Sequence, residues 1–173
     1  DYRVIAVDQR GHGQSESDPE HDYSRESQVD DLHELVEQMG LETITLVGHS
    51  MGGGGTIYLG NKYASIWAGL APMSPAVMRP TVDFDHSILE GMRRIPIYLV
   101  TGERDRLIPV SVIRQWADKM KKLQMNYKYE EIKGTVNLKG FRPGKVPREI
   151  LKRQFGKAVF SEVLDKVLKE TST

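Results

Sequence analysis

Short apolar runs alternate along this chain with segments in which apolar residues recur every three or four positions. The runs are rich in β-branched residues, which favour strands, whereas the longer spacing is typical of amphipathic helices. The predicted strands are residues 2–7, 41–47, 65–73, 95–100 and 127–132. The predicted helices are residues 24–39, 51–63, 110–123 and 158–168. Such alternation is typical of a mostly parallel sheet with helices on both faces, so we predict a three-layer α/β/α fold.

The first predicted helix has a polar residue at its start and a glycine at its end. Ser24 precedes the periodic segment, where a hydroxyl can accept a hydrogen bond from an N–H group of the first turn. Gly40 follows Met39 and can take the left-handed conformation that commonly ends a helix. We therefore expect a helix from Ser24, as its N-terminal cap, to Met39.

Length, charge and cysteine content limit the class of protein. The 173 residues are enough for one packed core, and we predict a single domain over residues 1–173. Lys and Arg together number 24, as do Asp and Glu, which argues against nucleic acid as a partner because phosphate binding needs a basic surplus. No cysteine is present, so disulfides and thiolate metal sites are excluded. We see neither an apolar run of membrane-spanning length nor a signal peptide, and we predict a cytoplasmic location.

The junction between the second predicted strand and the following helix reads Gly-His-Ser-Met-Gly, residues 48–52. Gly48 and Gly52 lack a Cβ, so strand and helix can approach closely at a sharp turn that strains the backbone of Ser50. The pattern predicts a nucleophile elbow, with the Ser50 hydroxyl directed away from the sheet. The N–H group of Met51, at the helix N-terminus, is the expected donor to a developing oxyanion.

Three motifs in this order resemble the α/β-hydrolase family. Residues 8–15, Asp-Gln-Arg-Gly-His-Gly-Gln-Ser, are similar to its D-x-R-G-x-G-x-S turn, and the elbow follows one helix later. Residues 102–109, Gly-Glu-Arg-Asp-Arg-Leu-Ile-Pro, are similar to its G-x-x-D-x-x-x-P segment. The resemblance extends to about residue 132 and implies that Asp105 is the acid of a Ser-His-Asp triad, with Glu103 as the rival. It implies a hydrolase of small carboxylic esters or related acyl substrates.

The sequence contains no recognised cofactor-binding motif. Gly11 and Gly13 follow a predicted strand, but a dinucleotide fingerprint needs a third glycine where Glu16 stands. The glycines at 52–55 are not followed by the Gly-Lys-Ser/Thr of a phosphate-binding loop. We therefore expect no cofactor and no metal, and a small-molecule ester or acyl substrate as the ligand.

The chain departs from the family pattern at the triad histidine. The family carries it in the turn after the last strand, where this chain has Asn137. An amide cannot take the serine proton near neutral pH, so activation of Ser50 by a general base would be lost. The five histidines all precede Asp105, at positions 12, 21, 33, 49 and 86. His49 adjoins Ser50, but adjacent side chains at an elbow point apart, so we expect it to pack or to form hydrogen bonds.

A second departure from the α/β-hydrolase pattern lies at the N-terminal end of the chain. The family's first three strands, and the loop that gives its other oxyanion donor, have no counterpart before residue 1. Either the chain is part of a longer polypeptide, so that this domain is N-terminally incomplete and the missing segment of the same protein is its partner, or the sheet has been re-paired. Both departures leave an alternative open, namely a non-catalytic α/β-hydrolase-like binding domain or an inactive fragment.

Overall fold

The computed structural model describes residues 3–77 and 85–132. The chain divides into two compact units, Asp1–Glu42 and Thr43–Thr173, called unit 1 and unit 2 below. Unit 1 contains helix α1 (Arg25–Gln38), and unit 2 contains the sheet. The predicted helix at 158–168 lies outside the described residues, as does Asn137.

Helix α1 begins and ends as its sequence predicts. The Ser24 side chain accepts a hydrogen bond from the Ser27 N–H at 3.2 Å. At the other end Gly40 has φ 60°, and its N–H donates to the Glu37 carbonyl at 3.0 Å. Gly40 thus closes the helix in the left-handed conformation, so the last carbonyl groups are satisfied.

The strand predicted over residues 2–7 is wrong for the described residues 3–7, which form no strand. Its apolar side chains are instead exposed, at 59% for Val4 and 47% for Val7. A strand is stable only when its N–H and C=O groups pair with a neighbour, and the described residues of unit 1 include no other strand. An apolar run alone does not supply that neighbour.

Unit 2 is built on four parallel strands in the order β1-β2-β3-β4. The strands are β1 (Ile44–His49), β2 (Trp67–Met73), β3 (Ile97–Gly102) and β4 (Tyr127–Ile132). The helices between them are α2 (Met51–Lys62), α3 (Ile88–Gly91) and α4 (Val110–Lys122). Parallel strands joined by helices fit the predicted three-layer α/β fold. The short α3 was not predicted from the sequence.

The core of unit 2 lies between the sheet and its helices. Leu70 and Leu99 on the strands are fully buried, and so are Ile113 and Met120 on α4. Ile113 and Met120 lie about two helical turns apart, so they share one face of α4. Within residues 3–77 and 85–132, no helix has the length and apolar character needed to cross a membrane.

Candidate functional site

Ser50 lies between the last residue of β1 and the first residue of α2, in a strained backbone conformation. Its φ is 58° and its ψ is −115°, outside the regions that residues with a Cβ normally occupy. Such strain costs roughly 1–3 kcal/mol and persists only where neighbours enforce it. Here the Ser50 N–H donates to the Met73 carbonyl at 2.9 Å, and the Ser50 carbonyl accepts from Gly54 N–H and Ala76 N–H. The strand, the helix and the segment after β2 therefore fix Ser50 together.

Glycine is required at only one of the two predicted positions of this turn. A Cβ on Gly48 would lie 2.1 Å from the Gly52 carbonyl oxygen, so β1 and α2 meet there as expected. A Cβ on Gly52 would meet nothing within 4 Å, so the expectation that this approach needs a glycine at position 52 is wrong. The next residue must lack a Cβ for another contact, because a Cβ on Gly53 would lie 2.8 Å from the Met73 carbonyl oxygen at the end of β2.

Met51 is the first residue of α2, and its side chain is 82% exposed. The first N–H groups of a helix have no acceptor within the helix, and the helix dipole adds positive potential there. The structure therefore puts the Met51 N–H in the first turn of α2, directly after Ser50. An anion forming beside Ser50 can be stabilised by that end of the helix.

Asp105 lies just beyond β3, and its carboxylate accepts two backbone hydrogen bonds. Its Oδ1 accepts from the N–H groups of Leu107 and Ile108, each at 2.9 Å. Partial burial opposes ionisation, but those two N–H groups, the Ser74 hydroxyl and the charge of His49 hold the pKa of Asp105 below its ordinary value. Asp105 is thus a carboxylate near neutral pH. The rival Glu103 lies in the same loop with an exposed side chain.

Ser50 and Asp105 follow the carboxyl ends of β1 and β3, and these two strands flank β2. Carboxyl ends of parallel strands share one edge of a sheet, which is where open α/β sheets bind ligands. The end of β2 at this edge carries Ser74, which the sequence interpretation did not single out. The sequence offers one indication of its position, because Ser74 is a polar residue directly after the predicted strand 65–73.

Asp8 closes a turn in unit 1. Its carboxylate accepts from the Gln14 N–H at 3.1 Å, and its carbonyl accepts from the Ser15 hydroxyl at 2.7 Å. A Cβ on Gly13 would lie 2.1 Å from the Asp8 carboxylate, so glycine is needed there. Arg10 leaves the same turn and donates to both Oδ atoms of Asp31 on α1.

The other histidines form local contacts. The Nδ1 atom of His12 lies 3.1 Å from the Arg10 carbonyl oxygen, and the His86 ring meets Trp116 edge-on with centroids 4.9 Å apart. Within the described part of the chain, no group of three or more His, Cys, Asp or Glu residues could hold a metal ion.

Two family models match different parts of the chain. The α/β hydrolase fold family matches residues 1–88, and the bacterial trigger factor protein family matches residues 113–173. The segment that matches trigger factor includes β4. In the structure, β4 nevertheless belongs to the sheet, where it pairs in parallel with β3 along its whole length, from Ile97 opposite Tyr127 to Gly102 opposite Ile132. The same segment also includes the position of Asn137, so that turn lies in sequence that resembles a different family.

Curated proteins that resemble part of this chain include trigger factors. The protein from Pelagibacter ubique is 83% identical over 48 residues, which cover 28% of this chain and 10% of that protein. The protein from Rhodospirillum rubrum is 55% identical over 42 residues, covering 24% of this chain and 9% of that protein. The chain thus spans about a tenth of the length of these relatives.

Solved structures with a similar fold include hydrolases. A CIB-like hydrolase from Thermoplasma acidophilum superimposes with a TM-score of 0.62 at 21% identity, covering 74% of this chain and 59% of that one. A meta-cleavage product hydrolase from Pseudomonas fluorescens gives a TM-score of 0.69 at 15% identity, covering 98% of this chain and 80% of that one. At such low identities the likeness shows the fold alone.

Proposed function

The chain belongs to the α/β-hydrolase family, and on that premise we propose that it hydrolyses small carboxylic esters or related acyl substrates with Ser50 as the nucleophile. The observation that carries the proposal is the strained Ser50 backbone, at φ 58° between β1 and α2. Strain of this kind is retained where function needs a side chain held in one place. Asp105 at the same edge of the sheet supports the proposal.

The proposed reaction starts with attack of the Ser50 hydroxyl on the ester carbonyl carbon. The carbonyl oxygen then becomes an oxyanion, which the Met51 N–H stabilises by a hydrogen bond at the N-terminus of α2. The bond to the alcohol breaks, and the alcohol leaves with the proton that Ser50 gives up, which leaves the acyl group on the serine oxygen. Water then attacks the acyl carbon, releases the carboxylic acid and restores the Ser50 hydroxyl. Asp105, being ionised, has the charge needed to orient and stabilise a protonated base.

The base is the part of the triad that this sequence does not provide in the family's position. Asn137 stands there by the sequence pattern, and no histidine follows Asp105. Position 137 lies in the segment that matches trigger factor, residues 113–173, and this match supports the absence of the family's histidine there. We therefore propose slow turnover, at the roughly 10³–10⁴-fold over water that remains when a triad member is removed.

Turnover of p-nitrophenyl acetate tests this proposal. We expect slow release of nitrophenol by the full chain and loss of that release in Ser50→Ala. Ser65→Ala is the matched control, since Ser65 is an exposed serine after α2. Equal rates in the parent and Ser50→Ala would remove Ser50 from the proposed reaction.

A second proposal is a non-catalytic α/β-hydrolase-like domain or an inactive fragment, in which the site binds a ligand without turning it over. The missing histidine favours it, and so does the trigger-factor resemblance of residues 113–173. Calorimetric titration with an ester or its carboxylate product separates the two proposals. Saturable binding without Ser50-dependent turnover supports the second one.

A further inference from the structure

The large apolar side chains that unit 2 exposes lie at one edge of its sheet. Among the described residues of that unit they are Met51, Leu107 and Ile132, with exposed fractions of 82%, 75% and 43%. Met51 follows the carboxyl end of β1, Leu107 follows that of β3, and Ile132 is the last residue of β4. We call these residues the apolar rim. Apolar residues scattered singly over a surface need no explanation, whereas a group confined to one edge indicates a binding surface.

Two members of the apolar rim lie beside the proposed catalytic residues. Met51 is the residue directly after Ser50. The Asp105 N–H donates to the carbonyl of Gly102, the last residue of β3, at 3.1 Å. The Leu107 N–H in turn donates to Oδ1 of Asp105 at 2.9 Å, so the backbone of Leu107 is fixed to the proposed acid. Since only β2 separates β1 from β3, the two strand ends are roughly 10 Å apart.

The chemistry of the apolar rim favours an uncharged, unbranched ligand. A ligand that covers Met51 and Leu107 removes apolar surface from water, which stabilises the complex in proportion to the area covered. The unbranched thioether of Met51 adapts to the shape of such a ligand. The loop at 103–106 has the sequence Glu-Arg-Asp-Arg, whose charges cancel, so it attracts neither an anion nor a cation strongly. An acetyl group offers one methyl group to this surface, whereas a longer acyl chain offers a continuous apolar one.

We propose that the apolar rim binds the acyl chain of the substrate, and that the side chains of Met51 and Leu107 select esters of unbranched acids longer than acetate. The selection rests on the proposed function, because it needs an acyl group bound at Ser50. Binding of a free carboxylate to the apolar rim does not need turnover. Ile132 lies one strand further out, on β4, and extends the same surface.

NMR of methionine methyl groups measures this binding without turnover. The full chain is labelled at those methyl groups, and the Met51 signal is assigned by its loss in Met51→Leu. Titration with sodium hexanoate should shift the Met51 signal saturably, whereas sodium acetate at the same concentrations leaves it in place. The signals of Met92 and Met120, which are fully buried, serve as internal references. A Met51 signal that hexanoate does not move would overturn the proposal.

A second variant and a dilution series distinguish the acyl chain from other occupants. Leu107→Ser removes the second apolar side chain but keeps the N–H that Asp105 accepts. Complete burial of a leucine strengthens binding by about tenfold or more, so partial cover predicts roughly fivefold weaker hexanoate binding in this variant. Val4→Ser is the matched control, since Val4 is 59% exposed in unit 1, and it should bind as the parent does. If dilution alone moves the Met51 signal, the apolar rim is an interface between copies and the proposal is wrong.

Ser50-dependent turnover of p-nitrophenyl hexanoate and acetate tests the selection itself. Each buried methylene group strengthens binding by up to about fourfold, and on a half-open surface by about twofold, so kcat/KM should be roughly tenfold higher for hexanoate. That ratio should fall towards one in Met51→Ser and Leu107→Ser and persist in Val4→Ser. A ratio retained in both rim variants would contradict the proposal. Absence of Ser50-dependent turnover in the parent contradicts the proposed function, while the hexanoate titration still decides whether the apolar rim binds an acyl chain.

Discussion

Gly48→Ala is expected to destabilise unit 2 strongly, because the added methyl group has no room. Its Cβ would lie 2.1 Å from the carbonyl oxygen of Gly52 and 2.4 Å from the hydroxyl oxygen of Thr56. The first contact is with backbone, so β1 and α2 must separate by about 1 Å before the Cβ fits. Overpacking typically costs 1–3 kcal/mol, and a rigid backbone neighbour places this substitution near the upper value of about 3 kcal/mol.

Gly52→Ala is the matched control, four residues away in the same turn. Its Cβ would meet nothing within 4 Å, and alanine favours a helix over glycine by up to about 1 kcal/mol. Urea unfolding, followed by the fluorescence of the buried Trp67 and Trp116, measures both variants. At the usual dependence on urea, 3 kcal/mol lowers the midpoint by roughly 1–3 M. Equal midpoints in the two variants would refute the packing argument.

Two further predictions concern the acid and the missing base. Because the folded chain lowers the pKa of Asp105, its charged form stabilises the fold above the unfolded pKa of about 3.9, and this contribution is lost as the pH falls through the lower, folded pKa. Asp105→Asn should therefore weaken the acid dependence of the urea midpoint, and an unaltered dependence would contradict that contribution. Asn137→His should raise Ser50-dependent turnover by about 10²–10⁴-fold in a chain that also carries the family's oxyanion loop. No gain would mean that residue 137 is not the base position.

The parts of the fold that depend on local sequence could be predicted. The ends of α1 follow from Ser24, whose side chain caps the first turn, and from Gly40, whose left-handed conformation ends the helix. The apolar face of α4 follows from its spacing, and Ile113 and Met120 on it are buried. In both cases the residues on which the prediction depends are the ones that form the cap or the buried face.

The errors concern contacts between distant segments. Residues 3–7 have the composition of a strand, but composition does not provide a pairing partner. Gly52 fits the motif, yet Gly53 is the residue that packs against the Met73 carbonyl, since that contact depends on where β2 ends. The hydrogen bonds that fix Ser50, from its N–H to the Met73 carbonyl and from the Ala76 N–H to its own carbonyl, join residues distant in sequence, so the motif alone could not predict them.

The central claim, that Ser50 is a nucleophile, is tested most directly by trapping its acyl intermediate. The full chain is incubated with p-nitrophenyl acetate, quenched in acid, digested and mapped by mass spectrometry. We predict an acetyl group on the peptide that contains Ser50, and none on that peptide in Ser50→Ala. Without a base in the family's position, the label should accumulate slowly. An unmodified Ser50 after long incubation, or acetylation of exposed Ser65 to the same extent, would contradict the account.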